Sequence, residues 1–266
     1  ILRQTYILLI LVPIVMTPWF SVDSFTPIKF ATLLFGIVTI LLGNISKFFT
    51  FAAQHPNTIW GFLLFLVILT LLLLLNRYSI SERIFGIEGR SFGYLTLLNL
   101  ASLFILGVLL KTFYSLENIE KNITKALCIS NFVIVAISFL QELNIAFTEF
   151  QNDTVTWPST LGNPNFFSAY VAISTFGWIR FLFSGKSKIR IVIVSTYGIL
   201  SSLFAISQSN SIQGFMIVGA GVFILLILFT RRFIKSKLLC ASIYLSLSTL
   251  LCFMVLGVFA KGPFSS

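Results

Sequence analysis

The chain alternates between long apolar blocks and short polar segments. Each apolar block has 17 or more residues, which is enough for a helix to cross a hydrocarbon core about 30 Å thick. Membrane-spanning strands would instead show alternating segments of about 10 residues, and the sequence has none. The pattern predicts an all-α, polytopic transmembrane helix bundle with about nine spans, at residues 4–20, 29–45, 58–76, 93–112, 123–141, 165–183, 191–207, 213–230 and 238–259.

The composition agrees with this pattern. Of the 266 residues, 57% are hydrophobic and 10% are charged, and the mean hydropathy is +1.00. Soluble domains carry about 25% charged residues, so this chain has too little polar surface to coat a water-soluble fold. The segments between the blocks are too short for a soluble domain. We therefore expect residues 1–266 to form a single transmembrane domain.

The basic residues predict an orientation. The net charge is +10, and 13 of the 18 lysines and arginines fall on the side of the N-terminus. The positive-inside rule places that side in the cytoplasm. The remaining five, on the outer side, are Lys29, Arg77, Arg83, Arg90 and Lys261. Because the charges cluster between apolar blocks, we interpret them as topology signals and expect membrane lipids, not nucleic acid, as partners.

Three polar motifs fall on connections predicted to lie outside. They are Gly89–Gly93 (GRSFG), Gly162–Asn165 (GNPN) and Ser207–Gly214 (SQSNSIQG), at the starts of the fourth, sixth and eighth spans. Asn suits a helix N-cap and Pro suits the first helical position, and an arginine can bind phosphate bidentately. Converging helix starts would form an anion site. Taken singly, each motif also fits a simpler structural role. GRSFG would supply an arginine that anchors at the membrane interface, GNPN a well-capped helix, and SQSNSIQG a tight polar hairpin.

Other candidate residues carry weaker signals. Lys29 would add positive charge on the outer side or anchor the second span at the interface. Glu82 and Glu88 flank Arg83 and could pair with it loosely. His55 is the one histidine, in a predicted cytoplasmic connection. The cysteines Cys128, Cys240 and Cys252 fall inside predicted spans, and we interpret them as buried apolar residues. No metal-binding or cofactor-binding pattern is present, so we expect neither a metal nor a cofactor.

The segments GIEGRSFGYL, TLGNPNFFSAY and SQSNSIQGF, in this order over residues 80–230, resemble the O-antigen ligase and polymerase superfamily. The resemblance implies a glycosyltransferase of cell-envelope polysaccharide biosynthesis in the bacterial cytoplasmic (inner) membrane. It would move a glycan from a polyprenyl diphosphate carrier to an acceptor on the outer face. The substrate-binding residues that it implies are Arg90, Asn163, Asn165, Ser211 and Gln213.

The sequence departs from the family pattern at two places. Gln213 precedes Gly214, where many relatives have an arginine. The family also has a large outer loop with a histidine and an arginine after these spans, and the printed sequence ends at Ser266, where that loop would begin. We therefore expect the N-terminal part of a longer protein, and no residue here is assigned as catalytic.

Two alternatives to a transferase stay open from the sequence. The chain would otherwise be a non-catalytic subunit of a membrane assembly, or a protein that binds lipid-linked glycan, with other membrane subunits as partners. A small-solute transporter is disfavoured because no carboxylate lies in the middle of a predicted span.

Overall fold

The computed structural model describes residues 1–15, 26–75, 78–85, 93–143, 159–183 and 189–233. In this part of the chain all regular structure is helical, with one 3-10 turn at Ser159–Leu161. The helices are α1 (Leu2–Ile14), α2 (Thr26–Leu42), α3 (Ile45–Gln54), α4 (Pro56–Leu75), α5 (Ile80–Phe85), α6 (Tyr94–Phe113), α7 (Leu116–Glu142), α8 (Pro164–Leu182), α9 (Ile189–Gln208) and α10 (Ile212–Phe233).

Four helices of the described part are long and apolar enough to cross a membrane, namely α4, α6, α7 and α9. A fifth span results if the bent pair α2 and α3 is counted as one. α1 and the first part of α10, Ile212–Leu228, are shorter apolar helices. The bundle architecture thus agrees with the prediction from the sequence. The predicted span at 238–259 and the end of the first predicted span lie outside the described residues.

The chain bends sharply where a connection between the second and third spans was expected. Residues 45–54 form a further helix, which makes an angle of 83° with α2. The amide of Asn44 donates from Nδ2 to the carbonyl of Ile40 at 2.8 Å and to Gln4 Oε1 at 2.8 Å. An asparagine amide that bonds the end of a helix in this way competes with helix continuation, so the chain turns.

The two apolar clusters show in which direction each helix runs through the bundle, because each cluster contains particular ends of the helices. One contains the start of α1 (Ile1), the end of α2 (Ile40), Phe51 of α3 and the end of α6 (Leu109, Leu110). The other contains the second half of α7, the first half of α8 and the end of α9, with Ile14 at the end of α1 and Ile217 of α10 packed against it. Helices α2, α6, α8 and α10 therefore all begin at one end of the bundle, which we call the motif end.

Helix α8 is held closely by its three neighbours. A Cβ atom on Gly198 of α9 would lie 2.5 Å from the indole of Trp178, and one on Gly177 would lie 3.1 Å from Sγ of Cys128 in α7. Gly221 of α10 likewise leaves room for the ring of Phe176. Small residues permit this close approach between helices in a membrane.

Buried polar groups also join these helices. Asn131 of α7 accepts at Oδ1 from Trp178 Nε1 at 3.0 Å and from Ser202 Oγ of α9 at 3.0 Å. Nδ2 of Asn131 is buried and has no partner in the described part of the chain. Cys128 is buried, as predicted, and is a free thiol, whereas Cys240 and Cys252 lie outside the described residues.

Candidate functional site at the starts of helices α8 and α10

The GNPN motif forms the turn that starts α8. Gly162 has φ 70°, a left-handed conformation that glycine adopts without steric cost. Asn163 is the N-cap, and its side chain accepts from the backbone N–H of Asn165 at 2.8 Å. Pro164 occupies the first helical position, where its missing N–H costs nothing. The capping role predicted for Asn163 and Pro164 is confirmed.

The SQSNSIQG motif forms the tight turn between α9 and α10. Asn210 adopts φ 51°, which asparagine tolerates better than most residues. Ser209 is buried and donates from Oγ to the carbonyl of Ile206 at 2.7 Å. Ser211 then precedes Ile212, the first residue of α10.

A chain of hydrogen bonds joins the two motifs. Ser168 Oγ donates to Ser211 Oγ at 2.8 Å, and Ser211 Oγ donates to Asn165 Oδ1 at 2.7 Å. Gly214 lies against this chain, because a Cβ on it would come within 2.8 Å of Cβ of Ser168. The starts of two long helices are therefore in direct contact through polar groups.

The predicted site residues differ in their placement. Asn163 and Asn165 are exposed, Ser211 is buried, and Gln213 is exposed on the first turn of α10. Arg90 lies outside the described residues. The structure thus joins the second and third motifs. Helix α6, which follows the first motif, begins at the same end and packs mainly against α2, α4 and α5.

Ser168 was not among the residues singled out from the sequence. It lies one turn into α8, and its side chain is fully buried. The signal available for it is the serine after FF in FFSAY, combined with the small residue Gly214 on the facing helix. Neither position is distinctive in a chain that is rich in serine and apolar residues.

Lys29 of α2 has a structural role near this site. Its Nζ donates to the carbonyls of Val12 at 3.3 Å, Pro13 at 2.7 Å and Val15 at 2.9 Å. The Pro13 carbonyl also accepts from Thr160 Oγ1 at 2.7 Å. An ammonium has three N–H donors, and all three are used to satisfy the carbonyl end of α1. Lys29 therefore stabilises the junction of α1, α2 and the 3-10 turn that precedes α8.

The short helix α5 is also at the motif end. Glu82 accepts from the backbone N–H of Ser79 at 3.0 Å and from its hydroxyl at 2.8 Å, while Ser79 Oγ accepts from Glu82 N at 3.2 Å. This reciprocal arrangement is a capping box, and these hydrogen bonds lower the pKa of Glu82. Arg83 donates instead to the carbonyl of Leu73 at 2.8 Å. The expected pairing of Arg83 with Glu82 is therefore wrong, and Glu88 lies outside the described residues.

Histidine and metal chemistry are not part of this site as far as it is described. His55 lies at the opposite end of the bundle, at the C-cap of α3, with its ring 5.2 Å from that of Phe51. Among the described residues no group of three His, Cys, Asp or Glu side chains is close enough to hold a metal ion. The site offers amides, hydroxyls and backbone N–H groups, which bind a polar or anionic group and do not transfer protons readily.

None of the protein-family models, curated proteins or solved structures compared with this chain matches it.

Proposed function

We propose that this chain is the membrane domain of a glycosyltransferase similar to O-antigen ligases, and that its motif end binds a polyprenyl diphosphate-linked glycan. The observation that supports this best is the hydrogen-bond chain Ser168–Ser211–Asn165, which holds the starts of α8 and α10 together. Each helix start carries about half a positive charge. Two of them side by side attract the diphosphate of a lipid carrier.

The proposal includes about nine spans in a bacterial cytoplasmic membrane, with the N-terminus in the cytoplasm and the motif end outside. The described cations support this orientation, since Lys111 and Arg180 close the last turns of α6 and α8 and Arg190 lies in the first turn of α9. All three lie at the end opposite the motifs, where the positive-inside rule requires them. Lys29 and Arg83 lie at the motif end.

In the proposed reaction, a hydroxyl of the acceptor attacks the sugar carbon that carries the diphosphate. A new C–O bond forms, the bond from that carbon to the diphosphate oxygen breaks, and the diphosphate leaves with the electron pair. The hydroxyl proton passes to a base that the described site does not supply. The helix starts, together with Arg90, would stabilise the charge that develops on the leaving group. Asn163, Asn165, Ser211 and Gln213 would orient it.

Binding of a defined lipid tests the donor site. Native mass spectrometry of the purified chain would compare a polyprenyl diphosphate with a polyprenol of the same chain length. We expect the diphosphate to bind at least about tenfold more tightly, which corresponds to about 1.4 kcal/mol. Asn165→Ala, which removes the acceptor of Ser211, should abolish most of this preference. Asn122→Ala, at a partly exposed asparagine of α7 at the opposite end, is the matched control.

Equal binding of the two lipids, or an unchanged preference in Asn165→Ala, would reject the proposed donor site. Arg90→Ala should reduce the preference further than Asn165→Ala, because it removes a full charge.

The second candidate is a non-catalytic subunit that binds lipid-linked glycan. It is favoured by the absence of carboxylate and imidazole groups from the described site. A transfer assay with a synthetic lipid-linked glycan and an acceptor separates the two functions. Release of the free diphosphate carrier, lost in Arg90→Ala, supports the transferase. Tight binding without release supports the subunit.

A further inference from the structure

Helix α3 lies across the end of the bundle that is opposite the motif end. Helix α2 ends at Leu42, α3 makes an angle of 83° with it, and α4 begins at Pro56. Phe51 of α3 packs in the same apolar cluster as Ile40 of α2, and Ile59 of α4 packs against that cluster. The end of α2 and the start of α4 are therefore at the same level, and α3 joins them there.

This level corresponds to one boundary of the hydrocarbon core. Helix α4 is long and apolar enough to cross a membrane, and its 20 residues match a core about 30 Å thick. Its first turns are therefore at a boundary. Trp60, in the second turn of α4, is 69% exposed, and tryptophan is enriched at membrane–water interfaces. Because α3 is nearly perpendicular to α2, it runs close to the plane of the membrane at this boundary.

The residues of α3 divide its surface into three sectors when they are arranged at 3.6 residues per turn. One sector packs against the protein and contains Phe48, Phe51 and Ala52. The second sector, which we call the apolar sector, is exposed and contains Ile45, Phe49 and Ala53. The third, the polar sector, is also exposed and contains Ser46, Lys47, Thr50 and Gln54. The helix therefore presents an apolar and a polar surface to its surroundings at the same time.

The apolar sector continues the exposed apolar surface of the helices on either side. Phe49 is 65% exposed and Ile45, one turn earlier, is 49% exposed. Leu42, the last residue of α2, is 63% exposed. Side chains of this kind on α2 and α4 face the acyl chains if these helices cross the membrane. The apolar sector of α3 extends that surface to the boundary.

The polar sector extends towards the end of α6. Nζ of Lys47 lies 5.9 Å from the ring centroids of Phe113 and Tyr114, which are the last residue and the C-cap of α6. Lys111 lies in the same last turn. Charged groups at a helix end keep to the water side of the interface. The polar sector therefore faces water while the apolar sector faces the membrane.

We propose that α3 is an interfacial helix whose apolar sector binds the acyl chains of the leaflet opposite the motif end. Amphipathic helices of this kind lie in the interface plane, with the apolar face about 5–10 Å inside the boundary between headgroups and acyl chains. In the orientation proposed above this is the cytoplasmic leaflet. The proposal needs the apolar helices to cross a membrane and does not depend on glycan transfer.

Fluorine NMR of the full chain in lipid nanodiscs measures the medium around each sector. Trifluoromethyl-phenylalanine replaces Phe49 in one sample and Thr50, in the polar sector, in a second. A third sample carries it in place of Leu64 of α4, which is 61% exposed, as the reference in lipid. Dissolved oxygen concentrates in hydrocarbon and relaxes probes there, whereas a gadolinium chelate stays in water.

We expect oxygen to relax the probe at position 49 about as strongly as the reference at position 64. The chelate should relax the probe at position 50 at least about twofold more than the probe at position 49, because only the apolar face enters the acyl region. Equal relaxation by the chelate at both positions would put α3 in water and overturn the proposal.

Two further outcomes would also overturn the proposal. Relaxation by neither agent at position 49 would show that protein covers the apolar sector, either another part of the chain or a second copy. Relaxation by oxygen and protection from the chelate at both positions would put α3 inside the hydrocarbon core, as one half of a broken span with α2.

A second probe position keeps the test decisive if replacement of Phe49 disturbs folding. Ile45 belongs to the same sector, and the probe in its place should respond as the probe at position 49 does. A signal at position 45 that the chelate relaxes as strongly as the signal at position 50 would contradict a lipid-facing sector.

Discussion

Helices α4 and α8 are of similar length and differ in how many of their residues are buried and in how polar those residues are. Within α4 Leu69 is the one buried residue, and large side chains such as Trp60 and Leu75 are 69% and 77% exposed. Eight residues of α8 are buried, including Ser168, Ser174 and Thr175. The more apolar helix lies at the periphery, and the more polar helix lies at the centre of the bundle.

This order is the reverse of that in a soluble protein. In water, apolar side chains gain free energy by moving to the interior. In a bilayer the lipid tails are as apolar as leucine, so burial of leucine gains nothing from the hydrophobic effect, and helices associate through close packing and hydrogen bonds. The buried glycines, serines and Asn131 around α8 are therefore the groups that stabilise the bundle. The leucines of α4 chiefly keep that helix in the membrane.

The largest expected contrast comes from adding one methyl group to each region. In Gly198→Ala the new Cβ would lie 2.5 Å from the indole of Trp178, which is itself buried and hydrogen-bonded to Asn131. We expect a loss of about 1–3 kcal/mol in the free energy of unfolding, as is typical of overpacking. Gly61→Ala in α4 meets no atom within 4 Å, and we expect no loss. Unfolding in mixed detergent micelles measures both variants. Similar losses in the two would contradict the comparison.

The second test removes a buried polar group. Asn131→Leu keeps the approximate volume and leaves Trp178 Nε1 and Ser202 Oγ without the acceptor that they share. Interhelical hydrogen bonds in membranes contribute about 0.6 kcal/mol on average and up to about 1.7, so we expect a loss of about 1–2 kcal/mol. The same unfolding assay applies.

Thr70→Val in α4 is the matched control for Asn131→Leu. The hydroxyl of Thr70 bonds only the carbonyl of Leu66 in its own helix, and the side chain faces outward. We expect a change within about 0.5 kcal/mol. A larger loss for Thr70→Val than for Asn131→Leu would show that local hydrogen bonds, not interhelical ones, dominate the stability.

The smallest expected effect concerns the peripheral helix α5, where the contacts are local and exposed. The hydrogen bonds from Ser79 lower the pKa of Glu82 below 4.5. The ionised carboxylate therefore stabilises α5 above the ordinary pKa, and this contribution is lost as the pH falls through the lowered value. Ser79→Ala should return the pKa of Glu82 towards 4.5. A carboxyl NMR titration measures it, with Glu82→Gln to assign the signal. An unchanged pKa in Ser79→Ala would disprove the capping box.

Features that depend on neighbouring residues were accessible from the sequence. The apolar blocks correspond to α4, α6, α7 and α9, and the cap at Asn163 followed from the residue types in GNPN. The convergence of helix starts was expected for three motifs. The structure brings two of them together, through Ser211 and Asn165, while Arg90 stays a prediction.

Features that depend on distant backbone groups were not accessible. The partners of Lys29 and Arg83 are main-chain carbonyls at the ends of α1 and α4. Every residue has such a carbonyl, so the residue types do not indicate which one accepts a hydrogen bond. The bend after Gly43 depends on Asn44 bonding back to Ile40, in a segment that also fits an ordinary connection. The partners of Asn131 are Trp178 of α8 and Ser202 of α9, and they are identified only when the packing of these helices against α7 is known.

The bond from Thr160 to the carbonyl of Pro13 sets an order for assembly during synthesis. The two residues are 147 positions apart, and a ribosome adds about 5–20 residues per second. Roughly 7–29 s therefore pass between the synthesis of Pro13 and that of Thr160. Throughout that interval the carbonyl of Pro13 lacks the donor that Thr160 later supplies. Helix α1 is therefore synthesised well before all of its final contacts can form.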